Sequence, residues 1–145
     1  MDPTKRALWF AGGTGAEKEG KLDLVFDHDK LSADPVPYPP EYAKHKGAVS
    51  HECVVRVEAP RLLSYTWNEG KEGLVTFEIF PEGSKTRLVL THTGISGPGA
   101  LAGFGSGWLS HLTVLERRLA GGVVRDFWAL HAGSRAAVQA QLGKV

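Results

Sequence analysis

Between residues 48 and 93, stretches whose apolar positions recur every second residue follow one another with almost nothing between them. Residues 48–58 end at Pro60, and "RLLSYTWN" (61–68), "GLVTFEIF" (73–80) and "KTRLVLTHT" (85–93) come next, linked by the short Gly-bearing segments "EGKEG" and "PEGS". Period-two alternation marks half-buried strands, and links this short can only reverse the chain into antiparallel hairpins. The result is a meander, which excludes a doubly wound parallel sheet because parallel neighbours need long crossovers. A further strand begins at Gly20, where Leu22, Leu24 and Phe26 alternate with Lys21, Asp23 and Asp27.

After Thr93 the pattern changes. "GPGALAGFGSGW" is expected to be a flexible loop, and Trp108, Leu112, Leu115 and Leu119 then form one apolar stripe, predicting a helix over 106–121 that ends at Gly121-Gly122 and lies across the sheet. Gly103 and Gly105 begin a dinucleotide-type glycine pattern, but Trp108 occupies its last position and the βαβ context is absent. A second helical stretch covers 124–142. At the other end Asp2 and Pro3 read as an N-cap and first helical residue, followed by Trp9-Phe10 and a stop at Gly12-Gly13. Residues 28–46 carry "DPVPYPP", which no central strand tolerates, and read as a long lid loop.

With 145 residues and 42% hydrophobic positions, the chain has the size of one domain. Seventeen Lys and Arg against 16 Asp and Glu, with no basic run, argue against a nucleic-acid partner. No apolar stretch has the length of a signal h-region or a membrane span. The lone Cys53 fits a reducing compartment, so a cytoplasmic location is expected.

Pro60, Leu62, Tyr65 and Trp67, then Val75-Thr76-Phe77-Glu78, Thr86-Arg87-Leu88, Leu90 to Gly94 and Gly107-Trp108 together carry a resemblance over most of residues 47–121. The pattern resembles the family of homologues of the activator of the heat-shock protein 90 ATPase, in the START-like (SRPBCC, birch-pollen-allergen-like) superfamily. The resemblance implies an α+β helix-grip fold: a curved antiparallel sheet wrapped on a C-terminal helix, with a cavity between them. Asp2-Pro3 and Trp9-Phe10 resemble the "DP...WF" that follows the family's first strand and helix, so the N-terminal edge strand and most of the first helix are expected to be missing. Either the start site is misassigned, or the domain is short with an open sheet edge that a second copy, as a homodimer, could cover.

Strand parity places His51 and Cys53 with Val49, Val55 and Val57 on one face of 48–58, and His92 with Leu88 and Leu90 on 85–93. Tyr65, Trp67 and Phe77 are assigned to the same side. With Trp9, Phe10, Phe26, Trp108 and Leu112, these residues are the expected lining of the cavity that the resemblance implies. The histidines also fit a plainer role as core residues satisfied by one hydrogen bond. His51, Cys53 and His92 could in principle ligate a metal, but no ligand spacing supports it, and neither metal nor cofactor is expected. "DHD" at 27–29 reads as a solvated turn, and "PPEY" at 39–42 as a proline-stiffened lid in preference to a WW-domain ligand. No nucleophile motif or fixed carboxylate pair is present, so no catalytic residue is assigned. The function expected is non-enzymatic binding of a hydrophobic small molecule between sheet and helix, lipid among the candidates. The alternatives are a co-chaperone-like interaction module, as the family's name implies, or an enzyme such as a cyclase or hydrolase on the same fold.

Overall fold

The computed structural model describes residues 1–144. Asp2 caps a short helix, α1 (Pro3–Arg6), by accepting the Thr4 and Lys5 N–H groups at 2.8 and 3.2 Å. Six strands follow in chain order: β1 (Gly12–Gly13), β2 (Gly20–Val25), β3 (Val49–Glu58), β4 (Leu62–Thr66), β5 (Leu74–Glu82) and β6 (Lys85–Thr93). Each is antiparallel to the next, and their order in the sheet is their order in the chain, as consecutive hairpins require. Two helices close the chain: α2 (Pro98–Leu119) and α3 (Phe127–Leu142). This is the α+β helix-grip arrangement expected from the sequence.

Two elements depart from expectation. β1 lies where only a helix stop was expected: Gly13, at φ +100°, passes so close to β2 that an added Cβ would sit 2.0 Å from the Asp23 carbonyl oxygen. No other residue type fits there. In addition, α2 starts at Pro98, not at 106, so the glycine-rich "GPGALAGFGSG" is helical rather than a flexible loop. Its glycines lower helix propensity but thin the helix, and tertiary packing decides the outcome. At Gly105 an added Cβ would stand 3.3 Å from Val138 Cγ1, so the Val138 side chain of α3 packs directly on the α2 backbone here.

The core lies between the concave sheet face and α2. Leu22, Leu24, Val54, Leu63, Tyr65, Val75 and Phe77 come from the sheet, and Trp108 and Val114 from the helix. Trp9 and Phe10 are buried with them: Phe10 meets Phe26 at 5.5 Å and Trp108 at 5.1 Å between ring centroids. The N-terminal aromatic step thus closes one end of the grip. Arg118, near the end of α2, holds this end in place by donating to the Leu8 and Lys30 carbonyls at 2.7 and 3.0 Å. No helix among the described residues is long and apolar enough to cross a membrane.

Strand parity on β3 corrects the sequence assignment. The inward positions are Glu52 and Val54, at 5% and 1% exposure, whereas His51 and Cys53 are exposed on the convex side. The β3–β4 register slips between Val54 and Arg56, and a single inserted residue reverses every side chain beyond it. The buried Glu52 carboxylate accepts bonds from Ser50 Oγ, from Thr66 Oγ1 at 2.7 Å and from the Glu69 N–H at 3.0 Å. Outside, His51 Nδ1 lies 2.7 Å from Asp23 Oδ1.

Candidate functional site

Where the sheet, α2 and α3 diverge, residues 28–46 cross over the opening and enclose a half-open cleft of about 820 Å³. The loop is strapped down along its length. Ser32 Oγ accepts the first N–H of α3, from Phe127, at 2.9 Å. The Ala33 and Asp34 N–H groups donate to the carbonyls of Val124 and Arg125, and Asp34 pairs with the Arg125 guanidinium at 3.0 Å. Farther on, a 3-10 turn over Pro40–His45 presents Tyr42, whose ring stacks on Trp128 at 4.9 Å and 15°. Tyr42, the last residue of the "PPEY" segment, is thus packed against α3.

Aromatic rings reach the walls from three sides. Phe26 and Trp67 come from the sheet side, Phe104 from α2, and Phe127 and Trp128 from α3. Four histidines line this surface, and three of them, His28, His111 and His131, gather around Phe127 and bring polar edges into it. His111 is buried, and its Nδ1–H donates to the Trp9 carbonyl at 2.9 Å. Burial, with the neighbouring His28 second, pushes His111 down to about 3 against the opposing effect of the Trp9 carbonyl. Burial likewise pushes His28 down to about 4, followed by the effects of His45 and His131. His131 is lowered by burial and then by Arg135. All three are therefore neutral imidazoles at neutral pH.

Their hydrogen bonds fix the proton positions. Ser110 Oγ donates to the Ser106 carbonyl at 2.9 Å and accepts from His131 Nδ1 at 2.9 Å, so His131 Nε2 accepts from Tyr42 Oη at 3.1 Å. Arg135 donates to the same Tyr42 oxygen at 3.1 Å while pairing with Glu41 at 3.0 Å. Ser110 is wholly buried behind His131, out of reach of anything in the cleft, and so cannot serve as a nucleophile. A base pushed down to about 3 also abstracts protons poorly at neutral pH.

Of the residues chosen from sequence, Phe26 and Trp67 line this cleft. Trp9, Phe10, Tyr65, Phe77 and Trp108 are buried core behind it, and Leu112 packs against that core. His92 acts as a structural clip: Trp108 Nε1–H donates to its Nδ1 at 3.1 Å, and its Nε2–H donates to the Glu72 carbonyl at 2.8 Å. It joins β6, α2 and the turn after β4. His51 and Cys53 are on the opposite side of the sheet, for the parity reason above. They therefore do not converge with His92, and among the described residues no three His, Cys, Asp or Glu side chains form a metal-ligating group.

The sequence assignment missed His28, His111 and His131. A signal existed for two of them. His111 follows Trp108 by three residues and His131 follows Phe127 by four, on the buried faces of their helices. His28 gave none. Its "DHD" context looks solvated, yet the ring is half-buried, stacks near Phe26 at 6.3 Å and meets Trp128 at 5.0 Å.

Comparison with known proteins agrees with this architecture. A protein of Bordetella parapertussis whose structure was solved by NMR in solution is 35% identical, with a TM-score of 0.78 over 95% of this chain and 74% of that one. CalU16 from Micromonospora echinospora is 20% identical, with a TM-score of 0.62 over 95% of this chain and 73% of the other, and shares the fold. No curated protein matches the sequence. The profile of the activator of Hsp90 ATPase homolog 1-like proteins matches residues 37–120, more than half of the chain. The match covers the lid from residue 37 onward, the four hairpin strands and α2, and the chain belongs to the activator of Hsp90 ATPase homolog 1-like family.

Proposed function

We propose that the chain binds a hydrophobic small molecule in the cleft between sheet, α2 and α3, without chemical turnover. The observation that carries this reading is the cleft itself. Its volume of about 820 Å³ falls within the range of about 300–1,000 Å³ usual for small-molecule sites, and Phe26, Tyr42, Trp67, Phe104, Phe127 and Trp128 put their rings into its walls. The imidazoles on it are neutral and suited to orienting a ligand rather than reacting with it.

N-phenyl-1-naphthylamine, a neutral probe that fluoresces in apolar surroundings, tests the reading directly. It should bind saturably and raise the melting temperature, by about 2.7 kcal/mol of stabilisation at a hundred times its Kd. Gly107 lines the cleft, and an added Cβ there meets nothing within 4 Å, so Gly107→Leu should fill the space without disturbing the fold. Loss of probe binding in a variant that melts normally is the expected result. Unchanged binding in that variant would place the probe elsewhere and defeat the reading. The family's description names activation of the Hsp90 ATPase. The ligand-binding reading expects no change when this chain is added to an Hsp90 ATPase assay, and a saturable gain in rate would favour the co-chaperone alternative.

A further inference from the structure

The three histidines divide into two kinds. His131 has both ring nitrogens occupied, by Ser110 and Tyr42. His28 and His111 each have one ring nitrogen committed and one left over. On His111 the committed atom is Nδ1, whose proton goes to the Trp9 carbonyl, so Nε2 carries a bare lone pair. On His28 it is also Nδ1. Tyr38 Oη accepts the His28 backbone N–H at 2.6 Å and lies 3.2 Å from Nδ1; we assign its proton to that second contact, which puts the ring proton on Nε2.

Neither Nε2 has a protein partner, yet among the described residues Tyr65 Oη is the one fully buried side-chain polar atom that lacks one. Both Nε2 atoms are therefore accessible, and the surface these two rings line is that of the cleft. The rings stand 5.7 Å apart between centroids, with Phe127 5.3 Å from each. An acceptor and a donor thus sit side by side next to the aromatic rings of the cleft.

Resting on the cleft as the ligand site, we propose that this pair receives one neutral hydroxyl of a flat aromatic ligand, a phenol-type group that donates to His111 Nε2 and accepts from His28 Nε2–H. A hydroxyl oxygen about 2.8 Å from each of two nitrogens bridges a gap of about 4.5 to 5 Å, compatible with that ring spacing. Flatness follows from the walls, since Phe26, Trp67, Phe104 and Trp128 offer ring surfaces for stacking. Neutrality follows from the charges. The two imidazoles are uncharged at neutral pH, Arg135 is paired with Glu41, and Lys46 beyond Tyr38 is paired with Asp29 at 3.0 Å. A carboxylate in the cleft would find no free counter-charge among these groups and would lose its hydration.

The test is calorimetric titration at pH 7 with 2-naphthol, 2-methoxynaphthalene, which cannot donate, and 2-naphthoate. One donated hydrogen bond should make 2-naphthol bind about 5- to 10-fold tighter than the methyl ether, with the carboxylate weakest. His111→Asn keeps a donor for the Trp9 carbonyl but removes Nε2, and should erase the preference for 2-naphthol over the ether. His28→Phe keeps the ring and removes its N–H, an independent check should the first variant not fold. Equal binding of 2-naphthol and the ether, or tightest binding of 2-naphthoate, would overturn the hydroxyl assignment and leave the cleft reading standing. If none of the three binds while N-phenyl-1-naphthylamine does, the hydroxyl assignment fails alone; if that probe does not bind either, both fail.

Discussion

His111 and His28 should make this protein acid-sensitive in a way that can be traced to two side chains. Each has an ordinary value of 6.5 and is pushed down in the fold, to about 3 and about 4, chiefly by burial. A depressed histidine contributes its stability above the unfolded value and loses it as pH falls toward the folded value. The window therefore runs from about 6.5 down to about 3 to 4. Within it, the unfolded chain takes up protons that the folded chain refuses, at about 1.4 kcal/mol per pH unit for each ring. By pH 4.5 each histidine has cost about 2 to 3 kcal/mol, and the pair about 5, which is comparable with the whole stability of a small domain. Urea denaturation of the wild type and of His111→Asn at pH 7.5 and 4.5 measures this. The variant loses ring packing at both pH values, so that loss cancels in the difference between them. The wild type should lose about 2 to 3 kcal/mol more than the variant over this interval. Equal losses would refute the reasoning, because they would mean that His111 is not held neutral by its surroundings.

Two further predictions concern the packing that shapes the site. Gly105→Leu should destabilise by about 2 kcal/mol or more, because its side chain must force apart helices that an added Cβ already brings within 3.3 Å of Val138; a melting temperature at or above wild type would show that the helices yield there. Glu52→Ala should cost about 3 kcal/mol, since it strips the Glu69 N–H and the Thr66 hydroxyl of a buried charged acceptor. A change below about 0.5 kcal/mol in chemical denaturation would mean that water replaces the carboxylate freely.

The alternation of apolar residues along 20–26 and 48–93, with short Gly-bearing links, was enough to determine the antiparallel meander. Hairpin connectivity is a local property, and each strand could pair only with its sequence neighbour. The aromatic step at Trp9-Phe10 was legible for a similar reason: two large rings near a chain end must be covered, and Phe26 and Trp108 cover them. Tertiary structure alone decided which way β3 faces. Glu52 points inward because Thr66 and the Glu69 N–H, remote in sequence, complete its hydrogen bonds, and the slip at Val54/Arg56 is invisible in a pattern that contains two consecutive valines. The same holds for the helical start at Pro98, where glycines that would loosen an isolated helix instead admit α3. It holds most of all for the site. His28, His111 and His131 come from three separate elements, and only their common burial against Phe127 and Trp128 turns three ordinary imidazoles into a neutral hydrogen-bonding surface. Periodicity reports which face of one element is apolar, whereas the cleft depends on how far apart elements are held and on what desolvates the groups between them.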